Sequence, residues 1–80
     1  MHLSYDPVHN IAYLRLRDAA GTEVETIRLS DEVNVDLAPD GSIHGIELLN
    51  ANAQLRAADG GRLVLDLAGR HIELPLPEPA

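Results

Sequence analysis

Eighty residues without a cysteine make one small domain with no disulfide framework, no thiolate chemistry and no cysteine metal knuckle. Phe and Trp are absent and two Tyr are the only aromatics, so the core must be built from Leu, Val, Ile and Ala, and a core that thin favours burying more surface by oligomerisation. The net charge of −7 gathers between residues 18 and 47, where Asp18, Glu23, Glu25, Asp31, Glu32, Asp36, Asp40 and Glu47 face only Arg28; such acidity repels phosphate backbones, so no nucleic-acid partner is expected.

The N-terminal MHLSYDPVHN has neither a basic start nor an apolar run, which reads as no secretion signal. No apolar stretch approaches the ~20 residues that span a bilayer, so no membrane partner is expected either, and the default location is a bacterial-type cytoplasm. His2 to Tyr5 is a short apolar/polar segment that ends at the Asp6-Pro7 turn signal. Ile11 to Arg17 alternates as a strand, Asp18 to Thr22 contains a reversal, and Glu23 to Leu29 is the next strand. Ser30-Asp31 turns the chain into the organising hairpin, VNVDLAPDGSIHGIELL, over Val33 to Leu49. Its reversal is Pro39-Asp40-Gly41, with Pro presetting φ and Gly supplying φ > 0.

Asn50 reads as the N-cap of a helix over Ala51 to Ala58, stopped by Asp59-Gly60-Gly61, whose Ala51, Leu55 and Ala58 cover one sheet face. Arg62 to Leu74 reads as a second hairpin turning near Ala68-Gly69. Pro75, Pro77 and Pro79 deny backbone donors, so residues 75–80 are expected to form an unpaired tail. The expected fold is α+β: an antiparallel, meandering sheet of about five to seven strands with one short helix after the central hairpin, in a single domain over residues 1–74.

Opposite-charge pairs and apolar pairs set a register between the first two long strands. Arg17 faces Glu23, Arg15 faces Glu25, Tyr13 faces Ile27 and Ile11 faces Leu29, each pair contributing roughly 0.2–1 kcal/mol. A two-residue turn at Ser30-Asp31 then sets Arg28 opposite Val33, and the Pro-Asp-Gly loop pairs Leu37 with Ile43. One face collects Ala12, Leu14, Leu16, Val24, Val33, Val35, Leu37 and Ile43. The other carries Ile11, Tyr13, Ile27, Leu29, Ile46 and Leu48 as a candidate interface, beside the polar row Arg15, Glu25, Asp36 and His44. A one-residue bulge after the Gly turn would move Ile46 and Leu48 to the core face instead.

The polar row is the best place for chemistry, because a carboxylate beside an imidazole is a base-and-orienter pair; its bland counterpart is a solvated ladder of cross-strand charges. His44 and Glu47 are three apart, which on a strand sends them to opposite faces, and no second His or Cys completes a shell, so no metal is expected. DLAPDG lacks the alternate acidic positions of a calcium loop. Glu47 and Arg28 are expected to meet as an ion pair at the sheet's rim. No cofactor is implied.

YDPVHNIAYLRLR, a short acidic strand and then VNVDLAPDGSIHGIELLNA, in that order, resemble the uncharacterised bacterial family catalogued as domain of unknown function 2283. The resemblance covers roughly residues 3–52. It implies a small α+β domain, brings no established activity, and includes members that look like partners of toxin-like proteins. The expected function is a non-enzymatic protein-interaction module, as a homodimer or bound to another small protein. The alternative is a small hydrolase-like or metal-assisted enzyme built on Arg15, Glu25, Asp36 and His44.

Overall fold

Period-two alternation becomes seven strands in the computed structural model, which describes residues 1–18 and 23–78. They are β1 (His2–Asp6), β2 (Ile11–Arg15), β3 (Glu25–Arg28), β4 (Val33–Leu37), β5 (Ile43–Leu49), β6 (Arg62–Leu67) and β7 (Arg70–Pro75), with the helix α1 (Ala51–Arg56) between β5 and β6. Every pairing is antiparallel, and the α+β class is as expected. Most of the reversal placed at Asp18 to Thr22 lies outside the described residues.

The strands form a five-stranded sheet in the order β1-β2-β5-β4-β3 and a separate β6-β7 hairpin. Here the register read from charge is corrected: β2 does not lie beside β3 but pairs with β5, in a Greek-key arrangement. Magnitudes explain the outcome. Exposed Arg–Glu pairs contribute at most about 1 kcal/mol each, while burying a Leu or Ile side chain contributes about 1.5–3 kcal/mol. The β2–β5 seam sets Leu14 against Ile46 and Ala12 against Leu48.

Two register details finish the sorting of faces. The Pro39-Asp40-Gly41 turn pairs Leu37 with Ile43, as the loop length requires, but the next pair is Asp36 with Gly45. His44 is therefore the extra residue of a β-bulge, and it is this bulge that turns Ile46 and Leu48 toward the core face. β3 is also shifted by one residue from the two-residue-turn register, so that Ile27 opposes Val35 and Glu25 opposes Leu37. The Leu29 and Ser30 N–H groups both donate to the Val33 carbonyl, at 3.0 and 3.3 Å, closing a longer turn than the sequence indicates.

One face of the sheet is consequently apolar, with rows Leu3-Leu14-Ile46-Val35-Ile27 and Tyr5-Ala12-Leu48-Val33. The other is polar, with rows Ser4-Tyr13-Glu47-Asn34-Arg28 and His2-Arg15-Gly45-Asp36-Thr26. Helix α1 lies on the apolar face over β2, where Ala12 and Ala51 are the buried hydrophobic residues. The β6–β7 hairpin presents Leu63 and Leu65 to the same face. Between sheet, helix and hairpin remains an apolar cleft of about 540 Å³ lined by Leu3, Leu14, Ile46, Leu48, Leu55, Leu63 and Leu65 together with Met1. Among the described residues nothing covers the β3–β4 half of the face, and Ile27 and Ile43 are about two-fifths exposed.

The chain is open for its mass. Its accessible surface is 5621 Å², against about 4,700 Å² for a compact 8.7-kDa monomer. Its radius of gyration is 13.9 Å, against about 12 Å for a compact chain of this length.

The proline-rich end is tied down further than its composition implies. Pro75 ends β7 opposite Arg62, the Leu76 N–H donates to the Gly61 carbonyl at 2.9 Å, and Arg56 donates to the Pro77 carbonyl and pairs with Glu78 at 3.6 Å. Pro75 needs no donor at that edge position, so pairing runs on through it.

Gly41 sits at φ 86° with open space where a Cβ would be. Gly41→Val therefore meets only backbone strain, of order 1–3 kcal/mol. Ser42→Val loses just the hydroxyl bond to Asp40 Oδ1, 2.6 Å in the native chain. Thermal melts should place Gly41→Val well below Ser42→Val; equal midpoints would count against strain at this turn.

Candidate functional site

Arg15 and Asp36 of the sequence-derived row do share a row, flanking Gly45 on the polar face. Glu25 does not: it opposes Leu37 at the rim of the apolar face, and Thr26 occupies the place expected for it. His44 stands apart as the bulge residue, and its carbonyl accepts from Leu16 N at 2.9 Å and Arg17 N at 3.3 Å.

What assembles instead is a cluster around Asp36. The Tyr13 hydroxyl donates to Asp36 Oδ2 at 2.7 Å, and Thr26 Oγ1 donates to Asp36 Oδ1 at 2.6 Å. Both carboxylate oxygens are thus engaged by neutral hydroxyls. The Tyr13 ring lies across the buried Gly45, and the His44 ring is tilted against it with centroids 6.5 Å apart. His44 Nδ1 is buried and has no hydrogen-bond partner among the described residues. Glu47, the direct cross-strand neighbour of Tyr13, accepts from Asn34 Nδ2 at 2.9 Å. It does not meet Arg28, which instead holds Asp31 at 2.5 Å.

Burial, and then the hydrogen bond to Asp36 with the charges of Asp36 and Glu47, push the Tyr13 phenol up to about 12. Because the folded chain holds this proton more tightly than an ordinary phenol near 10 does, its contribution to stability is complete below pH 10. It is lost as pH rises from about 10 to about 12. Tyrosinate absorbance should show a class titrating near 12 that vanishes in Tyr13→Phe; a native protein without that class would mean the Asp36 bond does not form in solution.

A second polar cluster joins the β1–β2 turn to α1. Asn10, at φ 59°, accepts from the Asn52 N–H through Oδ1 at 2.8 Å and from the Ala51 N–H through its carbonyl at 3.2 Å. The Tyr5 hydroxyl donates to Asn52 Oδ1 at 2.5 Å, and Asn52 Nδ2 donates to the Pro7 carbonyl at 3.0 Å. Asn50 does precede α1, but it is left-handed (φ 52°) and makes no capping bond; its side chain donates to Glu32 at 3.0 Å. A side-chain cap is normally made from the β region, so the cap comes from Asn10, forty residues earlier in the chain. The turn itself is closed by Asp6 Oδ1, which accepts from Val8 N at 3.0 Å and His9 N at 3.1 Å; these bonds, the His9 backbone bond first, hold its carboxyl below the ordinary carboxylate value.

The candidate interface residues separate. Ile46, Leu48 and Ile27 lie on the apolar face, while Ile11 and Tyr13 lie with the polar rows. Leu29 stands beyond β3, well exposed. The open apolar surface is therefore on the helix side of the sheet, because β2 joins β5 and the bulge turns β5 over. His9 pairs with Asp6 at 2.6 Å and His71 with Asp66 at 2.7 Å, and the latter bond raises His71 above the ordinary imidazole value. Sequence reasoning missed the role of Thr26 and the Tyr13–Gly45 contact. The available signal was Gly45 itself, since a glycine inside a strand marks close approach of another group.

A search of curated proteins and a search of solved structures each return no match. Residues 2–52 match the family described as "Protein of unknown function (DUF2283)". That span runs from β1 into the first turn of α1 and contains both polar clusters, while the β6–β7 hairpin lies beyond it. With more than half its length inside that match, the chain belongs to this family of unknown function.

Proposed function

We propose that the chain is a non-enzymatic protein-interaction module, working as a homodimer or bound to another small protein, with the apolar sheet face as its docking surface. The observation that carries this reading is the accessible surface, about 900 Å² larger than a compact monomer of this mass exposes. The apolar rows form a contiguous surface that runs from the cleft at Leu14, Ile46 and Leu48 to Val35 and Ile27. Soluble monomers rarely leave such a patch open. On the other face, Asp36 already accepts two hydroxyl bonds, and Asn34 and Glu47 bond each other. These contacts support a structural role for the polar rows.

An apolar dye tests the reading. At concentrations where the chain is a monomer, saturable dye binding is expected, and it should fall when Ile46→Glu places a charge in the cleft. A monomer that binds no dye has its apolar face covered within the chain, and the docking reading then fails.

A further inference from the structure

Resting on the docking reading above, we propose that the occupant of the apolar face is a second copy of this chain, docked face to face across the cleft about a two-fold axis. Three observations select this occupant.

The first is area. A standard interface hides about 800 Å² on each partner, close to the surface by which this chain exceeds a compact monomer. Isologous contact gives both copies the same relief at once, which a smaller partner would not. The second is shape. The hairpin stands off from the sheet and leaves a cleft of about 540 Å³ whose walls, Leu3, Leu14, Ile46 and Leu48 on one side and Leu63 and Leu65 on the other, are all apolar. Water in such a space finds no hydrogen-bond partners. Side chains of a second copy fill it with the same residue types that line it.

The third is charge. The chain carries −7, so two copies repel through most of their surfaces. On the apolar rows the charged residue is Glu25, at the β3 rim, whereas the polar rows carry Asp36 and Glu47 together with Arg15 and Arg28. Two copies that meet through this face therefore bring little like charge together, and the net charge of the chain does not oppose the contact.

Sedimentation of the full chain over a range from sub-micromolar to tens of micromolar, with apolar-dye binding measured in parallel, tests the assignment. The expected result is a reversible dimer. Ile27→Glu changes a side chain already two-fifths exposed, so circular dichroism should remain native while the dimer dissociation constant rises at least about tenfold. Ser4→Arg, exposed on the polar face, should leave that constant unchanged. Because the chain has no cysteine, Val35→Cys in the middle of the apolar face gives an independent readout: its thiols should be protected from alkylation at dimer concentrations and exposed on dilution. A strict monomer that still binds the dye overturns the second copy but leaves the docking reading standing. A strict monomer that binds none overturns both. A dimer weakened by Ser4→Arg and indifferent to Ile27→Glu places the copies on the other face and overturns the assignment.

Discussion

Gly45→Ala is expected to lower the melting temperature by roughly 10 °C, out of proportion to one methyl group. A Cβ at this position would overlap the Tyr13 hydroxyl and lie 2.6 Å from Tyr13 Cε1. The ring must swing off the strand, losing its cover over the buried glycine and its hydrogen bond to Asp36. Overpacking with loss of a part-buried hydrogen bond costs about 1–3 kcal/mol, and each kcal/mol is about 4–8 °C for a domain of this size. Two further readouts separate this mechanism from a general loss of strand stability. The Tyr13 phenol should titrate back toward 10 from about 12, and in a Tyr13→Ala background the Gly45→Ala cost should shrink to a few tenths of a kcal/mol. An unchanged melting temperature with a phenol still titrating near 12 would show that the ring has room to spare.

Asn10 carries the other large effect. Asn10→Ala should destabilise by about 2 kcal/mol, because Ala tolerates the left-handed conformation at φ 59° poorly and cannot accept from the Asn52 N–H, leaving the first turn of α1 uncapped. Asn10→Gly keeps the backbone freedom and loses only the side-chain bonds, so it should fall between Ala and the native chain, near 1 kcal/mol. Urea unfolding measures both. Glycine less stable than alanine here would mean that backbone strain plays no part at this turn.

These two sites mark where sequence reading succeeds and where it stops. The strands themselves, the Gly41 turn, the helix after Leu49 and the Ala68-Gly69 hairpin turn all follow from alternation and turn chemistry, because those signals act within a few residues. The partner of β2 does not follow, since pairing with β3 satisfies charge and pairing with β5 satisfies burial, and only the relative magnitudes decide. Asn50 carries the local signature of a helix cap, yet the cap is made by Asn10, which local spacing cannot indicate. The polar row was half legible for the same reason. Arg15 and Asp36 fall on one face by alternation, but the bulge at His44 and the one-residue shift of β3 replace Glu25 with Thr26. Each of those shifts is a single residue, and each exchanges the faces of everything beyond it.

The β2–β5 seam also sets an order of events in time. β1–β2 closes over a short turn, and β3, β4 and β5 follow one another through short turns, so both units can form early from local contacts. Their union cannot. Ile11 must find Leu49 and Arg15 must find Gly45 across the whole intervening chain, a closure whose entropic cost falls before any of its burial is gained. The seam is thus expected to be the slow step on the way in. In hydrogen exchange, the amides that bond across β2 and β5 should therefore report the opening of the whole sheet, while those of the β6–β7 hairpin exchange through openings of their own.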